Sequence, residues 1–124
     1  PVKATVPGLE GLVHPSYPPW DLSIPDRTRA EVWLKEFSEF EASGKLPRLS
    51  ILRLGTDHTS GTSPGAFTPR AMVADNDLAF GRIVEALSHS PFWRSMAIRS
   101  FGVSGLLSVR LSVMRSPSTR SPRS

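Results

Sequence analysis

The order of signals between Pro47 and Ser88 constrains this chain most. Leu49-Ser50-Ile51-Leu52-Arg53-Leu54 is short, nearly continuous in apolar residues, and bounded by Pro47 and Gly55. That pattern reads as a buried parallel strand, although periodicity alone leaves a helical turn open. Gly55 to Pro69 is a loop by composition, with Gly55, Gly61, Pro64, Gly65 and Pro69 set among Thr and Ser. Thr68-Pro69 then supplies a hydroxyl cap followed by proline at a first helical position. From Pro69 to about Ser88, the spacing of Met72, Ala79, Phe80, Ile83 and Leu87 marks one apolar side of a helix, with Arg82 and Glu85 outside. Ser90-Pro91 closes it, and Met96-Ala97-Ile98 begins a second strand. Strand, loop, helix and strand make a βαβ unit, so the predicted class is α/β.

A further helix precedes that unit. From Pro25 or Asp26 to about Ser43, Ala30, Trp33, Leu34, Phe37 and Phe40 recur every three or four residues, while Glu31, Lys35, Glu36, Glu39 and Glu41 fall mostly on the other face. The aromatic stripe reads as core packing, and Gly44 suits the left-handed position that ends a helix. Residues 1–25 read as a proline-rich, extended leading segment, in which His14, Tyr17 and Trp20 pin the chain onto the body. The start at Pro1, with no basic-then-apolar leader behind it, reads as processed or cut from something longer.

Composition excludes several classes. At 124 residues and 39% hydrophobic, with three Trp and six Phe, the chain can build one small core and not two. With no cysteine there is no disulfide, thiolate metal site or thiol nucleophile. No run approaches the roughly 20 apolar residues of a membrane span. Charge is unevenly placed: through Trp93 nine Lys and Arg face eleven Asp and Glu, whereas from Arg94 onward there are six Arg and no acid. The high isoelectric point therefore belongs to the tail. Leu106 to Val113 could form a strand; Arg115 to Arg123 is low-complexity and reads as disordered.

Ligands in open α/β sheets sit beyond the carboxyl ends of the strands. Thr56-Asp57-His58-Thr59 lies there, immediately after Leu54-Gly55. Two stretches, Leu46 to Thr59 and Ala66 to Trp93, resemble a bacterial phosphoesterase family that includes acid phosphatases and phosphatidylcholine-type phospholipases C, within the alkaline-phosphatase-like superfamily. The branch in view joins a β-propeller to an alkaline-phosphatase-like domain, and the resemblance spans about Gly8 to Ile98. It implies a fragment of that domain (helix, then strand–loop–helix–strand) over residues 26–98. It implies hydrolysis of phosphate esters by metal-assisted phosphoryl transfer, with His58 meeting metal or phosphate and Asp57 beside it. A divalent metal and a phosphate-ester substrate are implied for the parent, whose export is one option. Thr59, Ser60 and Thr62 offer hydroxyls to phosphate oxygens, with none favoured.

The pattern then departs from the family. After Ile98 the carboxylate cluster, the further Asp-His and the later His that the family implies have no counterpart, and the family's nucleophile region is also missing. One Asp-His pair falls short of the three or more protein ligands of a catalytic metal. The metal is therefore not expected to be retained, and no turnover is expected. Residues 99–124 read as a Ser/Arg-rich tail, disordered or frame-shifted, which the gene's other reading frames would decide.

The alternative readings are a non-catalytic remnant and a weak anion or nucleic-acid binder working through the Arg-rich tail, where Phe101 is the one aromatic and no specific nucleic-acid motif is present. Asp75 and Asp77 read as serving the helix dipole. His14 and His89 read as structural, and Arg70 as either exposed or facing phosphate. A βαβ unit without neighbouring strands leaves edges and apolar faces uncovered, so a marginally stable, aggregation-prone product is expected.

Overall fold

Local signals set the two helices. The computed structural model describes residues 4–103 and 106–113, with side chains from residue 4 to residue 94. Helix α1 spans Asp26–Ser43 and stops at Gly44, whose φ of 65° lets its N–H, and that of Lys45 behind it, reach the carbonyl of Phe40. Helix α2 spans Pro69–His89, and the Thr68 side chain accepts from the Ala71 N–H at 3.3 Å. Between them lie strand β1 (Leu49–Arg53) and a one-turn 3-10 helix at Thr56–His58.

The apolar spacing finds its partners. Ala30, Trp33 and Phe37 from α1 pack with Leu52 and Leu54 beside β1 and with Ala79, Ile83 and Leu87 from α2. Trp33 and Phe37 stack at 4.9 Å, and Phe37 is only 1% exposed. Burying a side chain of that kind contributes about 1.5–3 kcal/mol. Tyr17, Phe40, Phe80 and Phe92 pack around this cluster.

The chain then forms β2 (Met96–Val103) and β3 (Leu106–Val113). The sheet order is β1-β3-β2, with β3 antiparallel to both neighbours. Leu52 sits opposite Val109, and Ile98 opposite Leu111. The architecture is therefore a mixed helix-and-strand one, and β1 and β2 do run the same way. They are not adjacent, however, because β3 lies between them. The adjacent parallel pair expected of a βαβ unit is therefore replaced by two antiparallel pairings through β3.

Three further expectations change. Strand β1 is not buried on both faces: Leu52 is 4% exposed, but Leu49 is 46% and Ile51 71% exposed. Nothing among the described residues covers that second face. Leu106–Val113 forms the strand its sequence allowed, and residues 99–103, read from sequence as part of a tail, pair with it in the sheet. The alternation of Leu or Val with Ser or Arg from Leu107 to Val113 is the period-two pattern of a strand, and it is met by pairing. Residues 114–124, and the side chains on which any anion binding by the tail would depend, lie outside the described residues. Finally, the leading segment is a succession of turns rather than extended chain. A 3-10 turn at Pro7–Leu9 and turns closed by Tyr17 N–H to His14 O and Ile24 N–H to Asp21 O fold it back.

Candidate functional site

The turn after β1 is built around a residue that sequence reasoning passed over. Asp26 begins α1, is wholly buried, and gathers donors from three places. The Gly55 N–H lies 2.9 Å from both carboxylate oxygens, and the Thr56 N–H and hydroxyl lie 2.8 and 2.7 Å from Oδ2. The Asn76 amide donates at 2.8 Å from α2, and Arg29 Nη1 at 3.2 Å from α1 itself. Burial by itself would raise the Asp26 pKa. The Gly55 N–H, the Thr56 hydroxyl and N–H, and the Asn76 amide outweigh it and hold the carboxyl below its ordinary value. In the sequence Asp26 looks like any acid in a first helical turn, and its partners on the turn and on α2 are 29 to 50 residues away.

Asp26 cannot cap the backbone of its own helix while bound to the turn. Asp75 does so instead, accepting the Asp26 N–H at 2.6 Å and pairing with Arg27 at 3.7 Å. Asp75 thus serves a helix dipole, but that of α1 rather than its own α2. Arg29 finishes the arrangement by donating to the carbonyls of Pro19, Asp21 and Ile24, which fixes the leading segment against the helix.

On the other side of the turn stands Trp20. A Cβ added to the buried Gly55 would meet the Trp20 ring at 2.5 Å, so only glycine allows this approach. The same ring stacks under the Arg53 guanidinium at 3.9 Å and meets the edge of His58 at 5.0 Å, nearly perpendicular. The Tyr17 hydroxyl donates to the Arg53 carbonyl at 2.6 Å, and burial raises its pKa strongly. Of the rings expected to pin the leading segment, Tyr17 and Trp20 do so. Among the described residues His14 accepts the nearby Ser16 N–H, a contact within the segment itself.

This frame presents the predicted pair at the carboxyl end of β1. His58 is exposed, and Asp57 is half-buried. Asp57 Oδ1 is buried without a hydrogen-bond partner among the described residues. Burial raises the Asp57 pKa; the His58 charge opposes that shift and the Asp26 charge adds to it. Thr59 leaves the turn at φ 54°, a conformation that β-branched residues avoid. Ser60 donates its N–H to Met72 Sδ, and Thr62 is exposed in the loop beyond.

The remaining candidates lie elsewhere. His89 Nδ1 bonds to the Glu85 carbonyl at 2.8 Å at the end of α2, a structural role. Asp77 and Arg70 are exposed on α2. A groove of about 370 Å³ runs beside the turn, lined by Thr56, Phe67, Met72 and Leu78 with Arg27 and Asp75, but neither Asp57 nor His58 borders it. Among the described residues no group of three His, Asp or Glu side chains could hold a metal ion. No described helix is long and apolar enough to cross a membrane. Compared with models of known families, with curated proteins and with solved structures, the chain matches none.

Proposed function

We propose that this chain carries the phosphate-facing turn of a phosphoesterase of the alkaline-phosphatase-like superfamily, with His58 as the residue that meets the phosphoryl group. One observation carries the reading: a buried carboxylate and a tryptophan hold an exposed imidazole at the carboxyl end of β1, on a turn rich in hydroxyl groups. A ring nitrogen of His58 donates to a phosphoryl oxygen, and Thr59 or Ser60 supplies a second donor. Asp57 stands beside it, and its buried oxygen lacks a hydrogen-bond partner among the described residues.

A divalent ion does not fit the described residues. Asp57 and His58 offer two ligands at most, and metal centres of this kind take three or more from the protein. Hydrolysis by the parent enzyme would draw its other ligands from sequence outside this turn. The expected property of this chain is therefore binding of phosphate esters without turnover.

The test is a titration of the full chain with inorganic phosphate and phenyl phosphate, followed by NMR of the His58 ring and the Trp20 indole. Saturable shifts that His58→Ala abolishes are expected, with p-nitrophenyl phosphate left uncleaved whichever divalent ion is added. Absence of any shift, or shifts that persist in His58→Ala, would overturn the reading.

A further inference from the structure

A fully buried carboxylate is costly unless its oxygens are satisfied, and nothing in the apolar cluster of α1, β1 and α2 calls for a charge. The five donors that converge on Asp26 explain its burial, and three of them belong to Gly55 and Thr56, the two residues that precede Asp57. We propose that Asp26 is the positioning residue of the His58 turn. It fixes the backbone at the end of β1 so that Asp57 and His58 leave the strand in one direction. The inference rests on the functional reading above only insofar as His58 meets phosphate.

Four observations support it together. Helix α2 grips Asp26 twice, through Asn76 on the side chain and Asp75 on the backbone N–H, so the carboxylate is itself held in place. Trp20 closes on Gly55 from the opposite side and reaches the edge of His58, leaving the turn clamped between a carboxylate and an indole. Arg29 ties Asp26 to the leading segment that carries Trp20, which makes the two halves of the clamp one unit. Thr59 emerges at positive φ, a strained exit that persists only where its surroundings determine it. Asp26 touches no reacting atom and acts through the turn alone.

The experiment compares Asp26→Asn and Thr56→Val with the unmodified chain. Three readouts are taken: the ring-current shift that Trp20 imposes on His58, amide hydrogen exchange at Gly55 and Thr56, and the phosphate titration, with far-ultraviolet circular dichroism reporting the fold. Asp26→Asn, keeping its helical signal, is expected to lose the ring-current shift, to expose both amides and to weaken phosphate binding about tenfold. Thr56→Val removes the hydroxyl hydrogen bond to Asp26 and keeps the backbone one, and is expected to weaken binding about threefold. A folded Asp26→Asn chain with the ring-current shift, exchange and affinity unchanged overturns the proposal. Should Asp26→Asn fail to fold, Thr56→Val decides by the same criteria. Should the unmodified chain take up no phosphate, the functional reading falls, while the ring-current and exchange data still decide for or against Asp26.

Discussion

Asp26 and Asp57 lie close together yet carry opposite electrostatic consequences. Asp26 is surrounded by donors and its pKa is lowered, so its contribution to stability is present above the unfolded carboxylate value and is lost as pH falls through the folded one. Asp57 has a buried oxygen with no donor among the described residues, and burial raises its pKa. Its contribution is fully present below the unfolded value, near 3.9, and is lost as pH rises through the folded value. Asp57→Asn removes a group that disfavours folding once ionised. The variant should therefore melt higher than the parent at pH 7, with the gap closing as pH falls below about 4. Paired thermal melts across that range check this, and a gap that is flat or widens toward acid would refute the environment described for Asp57.

Helix α2 does more at the level of the element than present an apolar stripe. Its first half supplies Met72, Asp75 and Asn76 to the turn and to α1, and its second half supplies Ile83 and Leu87 to the core. Within it, Gly81 is exposed, and an added Cβ would meet nothing within 4 Å. A glycine in mid-helix can mark close packing; here it does not. Gly81→Ala should raise stability by about 0.5–1 kcal/mol, measured by urea denaturation, with no change at His58. Destabilisation by that substitution would mean that something packs against this face.

At the scale of the whole molecule, both helices pack against one side of β1, and nothing among the described residues covers the other side. Leu49 and Ile51 stand exposed there, on a strand whose described partner is β3 alone. An exposed apolar edge strand is a template for pairing with another copy of the chain. Ile51→Lys should accordingly reduce self-association, seen as a narrower and smaller species by sedimentation velocity, while changing stability by no more than about 0.5 kcal/mol. Unaltered sedimentation would count against this face as the route to aggregation.

What the sequence determined by itself were the elements whose signals are local. The 3.6-residue spacing of Trp33, Phe37, Ile83 and Leu87, the Thr68-Pro69 start of α2 and the Gly44 stop of α1 each act within a turn or two of chain, so they are legible from neighbours alone. The position of Asp57 and His58 at the end of a strand was legible for the same reason. The tertiary structure alone decided that Asp26 is buried beneath that turn, that Asp75 caps the other helix, that Trp20 lies against Gly55, and that β3 separates β1 from β2. A carboxylate reads alike in sequence whether it meets water or five donors. Which donors lie within 3 Å of it is settled only when segments distant in the chain come together.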